Sequence, residues 1–289
     1  MASELLINNN TNIICNKECD NFQCFLSEHF KSLMSRDYIN ETLGYASKEI
    51  YKLALENTTP IKRKKNLVKV KELLKEINRS EFLYKKGNNK ILITAPHAAW
   101  HYRYTWGKNR KKLGDWIKYD DVNTGLIACY LSRYLDCHAL IQIYTAWLDP
   151  NFYREALFQE KMRSILKKEK IKFVLDVHGL SSDREADFDI IDLFGMALVP
   201  FNALKFRKSL KKRLEQFGYE VGVNRYFNGG LTLPFQHTIV KEVSQEFQIP
   251  CIELEINKKF RNIPGEIIDK KVLNVLFNWL KSDVNKDLR

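Results

Sequence analysis

Residues 172–179, KFVLDVHG, constrain the fold more than any other stretch of the chain. An apolar, β-branched run that ends in an acid, a histidine and a glycine is typical of a buried strand. Because strand side chains alternate, Val174, Asp176 and His178 are predicted to share one face. Burying an acid and a histidine is costly unless they are paired or bound to a metal. This strand end therefore indicates a functional site, with a simple Asp–His pair beside a turn as the alternative.

The composition is that of a globular protein with one substantial core. The chain has 289 residues, of which 45% are hydrophobic and 28% charged. No apolar run reaches the roughly 18 residues of a membrane span, and the first residues lack the pattern of a signal peptide. The six cysteines form no disulfide framework. We therefore expect a cytoplasmic protein with reduced thiols and no membrane partner.

The strong positive charge raises the question of a nucleic-acid partner. The formal net charge is +12 and the sequence pI is about 9.3. Much of this charge lies on predicted helix faces, and no RNA-reading aromatic motif, helix-turn-helix or zinc finger accompanies it. Solvated helix faces are the preferred interpretation and nucleic-acid binding the less favoured one. A basic rim would also attract small anionic substrates to a cleft.

The chain divides into a helical N-terminal extension, residues 1–80, and an α/β domain, residues 81–289. In the second part, predicted strands cover 82–84, 91–95, 138–144, 172–178, 187–194, 219–223 and 251–256. Predicted helices cover 121–134, 152–166, 202–217, 238–247 and 267–279. This alternation predicts a three-layer fold around a mostly parallel mixed sheet, with the active site at the carboxyl ends of the strands.

Three predicted strand ends or helix starts carry metal-ligating side chains, namely His97, Asp121 and His178. Two imidazoles and one carboxylate leave a tetrahedral zinc ion with one position for water, as in zinc hydrolases. His101, four residues after His97, is an alternative ligand. Asp120 is likewise an alternative to Asp121.

Two acids, Glu253 and Glu255, share one face of the last predicted strand. Two buried like charges raise the pKa of at least one of them, which suits a general base. Exposure on an edge strand is the alternative. Asp176 shares a face with His178 and is predicted to orient that ligand.

Six short motifs occur in a fixed order along the α/β part of the chain. They are APH at 95–97, DVNTG at 121–125, DPN at 149–151, LDVHG at 175–179 with Arg184, FNGG at 227–230, and IELE at 252–255 with Arg261. Over roughly residues 88–282 they resemble the N-formylglutamate amidohydrolase family, which belongs with the zinc carboxypeptidase-like hydrolases. The resemblance implies a phosphorylase/hydrolase-like α/β fold, a zinc ion and cleavage of an amide beside a carboxylate.

The resemblance also implies roles for individual residues. It places the metal on His97, Asp121 and His178, and the general base at Glu255. The HxxE pair of zinc carboxypeptidases is absent, because Trp100 stands where its glutamate would be.

The substrate contacts follow from the same motifs. We expect Arg184 to bind a carboxylate or polarise the carbonyl, with Arg154 and Arg261 as second choices. The remaining predicted contacts are Asn151, Asn228, Gly229 and Gly230, the glycines because they allow close approach of the backbone to the ligand. The Asn–Arg pair that often binds a substrate carboxylate is broken, because Phe152 follows Asn151.

The sequence therefore predicts a zinc-dependent amidohydrolase that acts on a small anionic N-acyl (formyl-type) amino acid or a peptide-like acid. The competing hypothesis is a basic RNA- or partner-binding protein that keeps the hydrolase fold without turnover. Stoichiometric zinc would favour the enzyme. Metal-free protein with salt-dependent RNA binding would favour the binding protein.

Overall fold

A computed structural model describes residues 60–76, 80–99, 101–102, 117–118, 120–143, 146–199, 203–232, 236–261 and 268–288. Most of the predicted N-terminal extension and Trp100 lie outside these residues. The boundary at residue 80 stays a prediction. No helix in the described part of the chain is both long and apolar enough to cross a bilayer.

The described residues form an α/β fold, as predicted. The strands are β1 (Phe82–Lys85), β2 (Ile91–Ala95), β3 (His101–Tyr102), β4 (Ile117–Lys118), β5 (His138–Gln142), β6 (Phe173–Leu180), β7 (Phe188–Ile191), β8 (Val221–Val223) and β9 (Cys251–Asn257). The helices are α1 (Pro60–Glu76), α2 (Thr124–Tyr134), α3 (Leu157–Lys168), α4 (Leu204–Gln216), α5 (Ile239–Glu246), α6 (Lys258–Arg261), α7 (Lys270–Trp279) and α8 (Asn285–Asp287). A 3-10 turn spans Met196–Leu198, and a π-helical turn, Leu280–Val284, follows α7.

Helix α3 begins five residues later than the sequence predicts. The backbone N–H groups of Phe152 and Tyr153 both donate to the carbonyl of Asp149, at 3.2 and 3.0 Å. These tight turns around Pro150 keep residues 149–156 out of the helix. This non-helical segment places Asp149 and Asn151 at the carboxyl ends of the strands.

Seven strands form one mixed sheet in the order β1-β5-β2-β6-β9-β7-β8. The central strands β5, β2, β6 and β9 are parallel, whereas β1 and β7 run antiparallel to β5 and β9. Strand β9, which carries Glu253 and Glu255, therefore lies inside the sheet. The edge-strand alternative for these two acids is wrong.

Helices cover both faces of the sheet, which confirms the three layers. One face packs Ile93, Leu175 and Leu254 against α2, α4 and α7. The other face packs Val174 and Cys251, with their neighbours, against α3 and α5. Along β6 and β9 this second face changes from apolar to polar within two residues, as the alternation of residues 172–179 predicts.

Helix α1 packs on the segment that follows β5. Val70 and Leu74 of this helix are buried in a cluster with Trp147, Tyr153 and Leu157. The helix therefore covers the chain on both sides of Asp149 and Asn151.

Candidate active site

Polar side chains from three neighbouring strands meet at the carboxyl end of the sheet. Thr94 pairs in register with Asp176, Asp176 with Glu253, and His178 with Glu255. Because these positions continue the face that carries Val174 and Cys251, all five side chains point to the same side of the sheet. The parallel arrangement of β2, β6 and β9 thus converts three separate sequence motifs into one site.

The three predicted metal ligands converge. The Nδ1 atoms of His97 and His178 lie 3.6 and 3.5 Å from the same Oδ2 atom of Asp121. These separations are longer than a normal hydrogen bond. Two donors on a tetrahedral zinc ion, each about 2.0–2.1 Å from the metal, are about 3.3 Å apart. The two distances to Asp121 Oδ2 are therefore close to the donor–donor spacing of a zinc site, and two imidazoles with one carboxylate are a donor set that fits zinc.

A buried carboxylate binds the other ring nitrogen of each histidine. His97 Nε2 lies 2.9 Å from Asp149 Oδ1, and His178 Nε2 lies 3.0 Å from Asp176 Oδ2. Thr94 donates to the other oxygen of Asp176, at 2.6 Å. Such carboxylates fix the ring orientation and leave Nδ1 as the free donor atom toward a metal.

Asp149 is the residue that the sequence analysis missed. Its motif predicted a turn, and the turn is present, but its side chain is fully buried against His97. The available signal was its place in the segment that follows β5, the strand that pairs with β2, which leads to His97. That neighbourhood depends on the strand order, which the sequence pattern does not give.

The alternative ligands occupy other positions. The ring of His101 stacks on His97, with centroids 4.1 Å apart, and its Nε2 lies 3.4 Å from Asp149 Oδ2. His97, His101 and Asp149 thus form a second group of donors. The 2.9 Å contact between His97 and Asp149 has hydrogen-bond length, which favours Asp149 as an orienting group rather than a ligand. Asp120 lies outside the described residues that line the cavity.

Asp121 is held in place by the strand end, not by the helix that follows it. Its Oδ2 accepts a hydrogen bond from the backbone N–H of Gly179, at 3.0 Å, and its own N–H donates to the carbonyl of His97. The N-cap of α2 is Asn123, with a left-handed φ of 65°. The side chain of Asp121 therefore does not cap α2.

The charges of the site are mutually compensating. Burial opposes ionisation of Asp121, but His178 and His97 outweigh it and hold the pKa of this acid well below its usual range. Burial likewise lowers the pKa of His97 and His178. The pKa of His97 is nevertheless raised, chiefly by Asp149, and that of His178 chiefly by Asp176. A cation at this point would take over the role of the imidazole protons.

Among the described residues that line the cavity, Glu253 and Glu255 each have a buried oxygen atom without a hydrogen-bond partner. They are 3% and 6% exposed, and the Oε2 atom of each has no hydrogen-bond partner. Burial raises the pKa of both acids, against the opposing effect of His178. A carboxyl group in such surroundings is suited to accept a proton from water and pass it on.

A cavity of about 410 Å³ lies over this end of the sheet. Four of the predicted substrate-binding residues line it, namely Asn151, Asn228, Gly229 and Gly230. Both glycines have positive φ, 63° and 80°, and a Cβ at Gly229 would lie 2.3 Å from Leu193. Phe227, the first residue of the FNGG motif, also lines the cavity. The sequence analysis missed Tyr226, Gln236 and Thr238, whose positions next to this motif and before α5 were the only signal.

The three predicted arginines lie outside the set of described residues that line the cavity. Arg154 is exposed and paired with Glu246. The guanidinium of Arg184 lies over the ring of Tyr226, 5.0 Å from its centroid. The substrate roles of these two arginines stay predictions.

Arg261 is buried behind the site. Its Nε donates to the carbonyl of Ile256 at 2.7 Å, its Nη2 to that of Leu180 at 3.3 Å, and its Nη1 to that of Val122. A Cβ at Gly179 would lie 2.4 Å from Nη2, so glycine is required there. In this arrangement the guanidinium ties β9, β6 and the loop of Asp121 together, instead of facing a substrate as predicted.

No protein-family model and no curated protein matches the chain. Among solved structures, it is similar to N-formylglutamate amidohydrolase from Ralstonia eutropha JMP134, at 10% identity and a TM-score of 0.47 over 70% of this chain and 97% of that chain. It is also similar to a bacteriophage poly-gamma-glutamate hydrolase, at 11% identity and a TM-score of 0.43 over 73% of this chain and 94% of that chain. A third is succinylglutamate desuccinylase from Chromobacterium violaceum, at 11% identity and a TM-score of 0.41 over 71% of this chain and 69% of that chain. The family that the sequence motifs resemble is thus represented among the structures to which this chain is similar.

Proposed function

We propose that this protein is a zinc-dependent amidohydrolase that cleaves the amide of a formyl-type N-acyl amino acid or a small peptide-like acid. The observation that carries the proposal is the convergence of His97 Nδ1 and His178 Nδ1 on Asp121 Oδ2, at 3.6 and 3.5 Å. Glu255, whose Oε2 has no hydrogen-bond partner among the described residues, lines the same cavity.

Each residue of the metal centre has a separate task. His97, Asp121 and His178 would hold the ion, while Asp149 and Asp176 keep both imidazoles in the orientation that presents Nδ1. When bound, a zinc ion supplies Lewis acidity that activates water and polarises an amide carbonyl.

Glu255 is the proposed proton carrier. It accepts a proton from the attacking water, whose oxygen forms a bond to the acyl carbon. It then gives this proton to the leaving nitrogen as the carbon–nitrogen bond breaks. Because the acid is buried and its pKa is raised, proton transfer in both directions is feasible near neutral pH.

Asn151 is the proposed donor to the substrate. Its Oδ1 accepts a hydrogen bond from the backbone N–H of Ile239, at 2.8 Å, which orients the amide so that its donor group, Nδ2, faces His178 and Glu253. That group lies on the cavity wall, close to His178. It is suited to bind an oxygen of the substrate next to the scissile amide.

The described charges support the enzyme over the RNA-binding alternative. On the basic helix α4, Arg207 pairs with Asp192 at 2.7 Å, and Arg213 pairs with Asp283 at 2.7 Å. Lys211 pairs with Glu215 on the same helix. These ion pairs reduce the positive charge that α4 offers to phosphates.

The test is a paired measurement of metal content and hydrolysis. We expect chelator-treated protein to regain hydrolysis of N-formyl and N-acetyl amino acids with one equivalent of zinc. His178→Ala should lose both zinc and turnover, because it removes one of three protein ligands. His138→Ala is the control, since His138 is also buried but bonds to Tyr84. Normal zinc content in His178→Ala would overturn the ligand assignment.

A further inference from the structure

The cavity contains one more buried acid than hydrolysis requires. Glu253 and Glu255 stand two residues apart on β9, opposite Asp176 and His178 in register. Glu255 has a role in the proposed reaction, and Asp176 is occupied by His178 and Thr94. Glu253 remains without an assigned task.

Glu253 is only partly satisfied by the protein. Its side chain is 3% exposed, it contacts the amide of Asn151, and its Oε2 has no hydrogen-bond partner among the described residues. Burying a carboxyl oxygen without a hydrogen-bond partner costs free energy, and a bound ligand can supply the missing partner. Because Glu253 lines the cavity, a ligand can reach this atom.

The described residues of the cavity wall include no lysine or arginine. The two histidines of the wall, His97 and His178, each already lie between two carboxylates of the protein. Three N–H groups of the nearby Arg261 donate to backbone carbonyls. Next to ionised Glu253, a carboxylate of a ligand would be repelled, whereas a cationic nitrogen would be attracted.

We propose that Glu253 is a specificity residue that binds a protonated amine of the substrate. The inference rests on the proposed function and replaces the anionic substrate expected from the sequence. The site would select an N-acyl amino acid or short peptide that carries a cationic nitrogen close to the scissile amide. Phe227, which is 43% exposed on the cavity wall, offers an apolar surface for the alkyl part of such a group.

Matched substrates that differ only in the charge of the side chain test this selection. N-acetyl-lysine, N-acetyl-norleucine and N-acetyl-glutamate share the acyl group and the α-carboxylate. We expect kcat/KM to fall in that order, with lysine at least about tenfold above glutamate. Glu253→Gln should reduce the lysine-to-norleucine ratio by at least about tenfold. Glu253→Asp, which retains the charge, should keep part of the preference. An unchanged ratio in Glu253→Gln, or a wild-type preference for glutamate, would overturn the proposal.

A binding measurement separates this inference from the proposed reaction. Titration calorimetry near neutral pH with butylammonium and with butyrate reports the charge preference without turnover. We expect wild-type protein to bind butylammonium more tightly than butyrate and Glu253→Gln to lose this difference, with thermal melting as the check that both are folded.

If Glu253→Gln fails to fold, Glu253→Asp takes its place, and we expect weaker but still preferential butylammonium binding. Such binding without hydrolysis of any acyl compound would refute the proposed function and leave the role of Glu253 standing. Equal or tighter binding of butyrate to the wild type would refute that role.

Discussion

At the scale of single residues, the proposed function assigns metal binding and proton transfer to different side chains. The two histidines each use one ring nitrogen for a buried carboxylate and present the other to Asp121. Glu255, in contrast, presents an unpartnered oxygen beside this group. The two functions can therefore be removed independently by substitution.

Glu255→Gln is expected to keep zinc and lose turnover. The amide has the shape of the acid but cannot accept the proton of the attacking water. General acid–base catalysis contributes about 10²- to 10⁴-fold to the rate, so kcat should decrease by a factor in that range. Steady-state kinetics together with metal analysis measure the effect. Loss of zinc would make Glu255 a ligand, and a near-normal kcat would make it structural.

At the scale of elements, buried arginine and helix packing hold the site together. Arg261 connects β9 and β6 to the loop of Asp121, and α1 covers the segment that carries Asp149 and Asn151. Within α1, Arg63 lies over the ring of Tyr153 at 5.0 Å and pairs with Glu155 at 3.3 Å. Neither arginine is one of the described residues that line the cavity.

Arg261→Met is expected to lower stability and metal affinity together. It leaves three buried carbonyl groups without their donor, at a cost of at least about 2 kcal/mol in the free energy of unfolding. Arg154→Met is the control, because the exposed pair of Arg154 with Glu246 contributes about 1 kcal/mol or less. Denaturant unfolding and zinc titration measure both. A higher KM for anionic substrates at unchanged stability would instead indicate that Arg261 binds the substrate.

Charge reversal on α1 should distinguish its packed face from its solvated face. Lys64→Glu with Lys65→Glu changes only exposed side chains, so turnover of a neutral substrate should stay nearly constant, since exposed charges beyond about 8 Å are screened. Arg63→Glu places an acid beside Glu155 and should lower both the melting temperature and kcat. Thermal melting and steady-state kinetics of the two variants provide the comparison. A collapse of turnover in the lysine double variant would show that the solvated face also belongs to the site.

At the scale of the whole molecule, one acid outside the site makes the stability depend on pH. Glu81 is 2% exposed and accepts a hydrogen bond from the backbone N–H of Trp147, at 3.1 Å. Burial raises the pKa of Glu81 to about 8, from 4.5. The folded state therefore binds the proton more tightly than the unfolded state. This contribution to stability is complete below pH 4.5 and is lost as the pH rises toward 8.

Glu81→Gln is expected to abolish the loss of stability between pH 4.5 and 8. The variant should match the wild type at acidic pH and be more stable above pH 8. The wild-type curve should fall by up to about 1.4 kcal/mol per pH unit relative to the variant between the two pKa values. Denaturant unfolding across this range measures the difference, with the exposed Glu72→Gln as control. Parallel curves for wild type and Glu81→Gln would contradict the pKa shift.

The sequence by itself determined the order of the elements and the chemistry at the ends of the strands. Periodicity of two along 172–179 and 251–256 placed Asp176 with His178, and Glu253 with Glu255, on common faces. His97 follows the predicted strand 91–95, Asp121 opens the predicted helix 121–134, and His178 ends the strand 172–178, so these three residues could be predicted as candidate metal ligands. Such local signals depend only on neighbours along the chain.

Only the tertiary structure decided which groups meet. Strand order placed β9 beside β6, which buried Glu253 and Glu255 instead of exposing them at an edge. The turns after β5 carried Asp149 to His97, and the packing of β6 against β9 drew Arg261 onto three backbone carbonyls and away from the cavity. These contacts join residues far apart in sequence, and their partners are chosen by the burial of whole faces. No periodicity within a single segment encodes that choice.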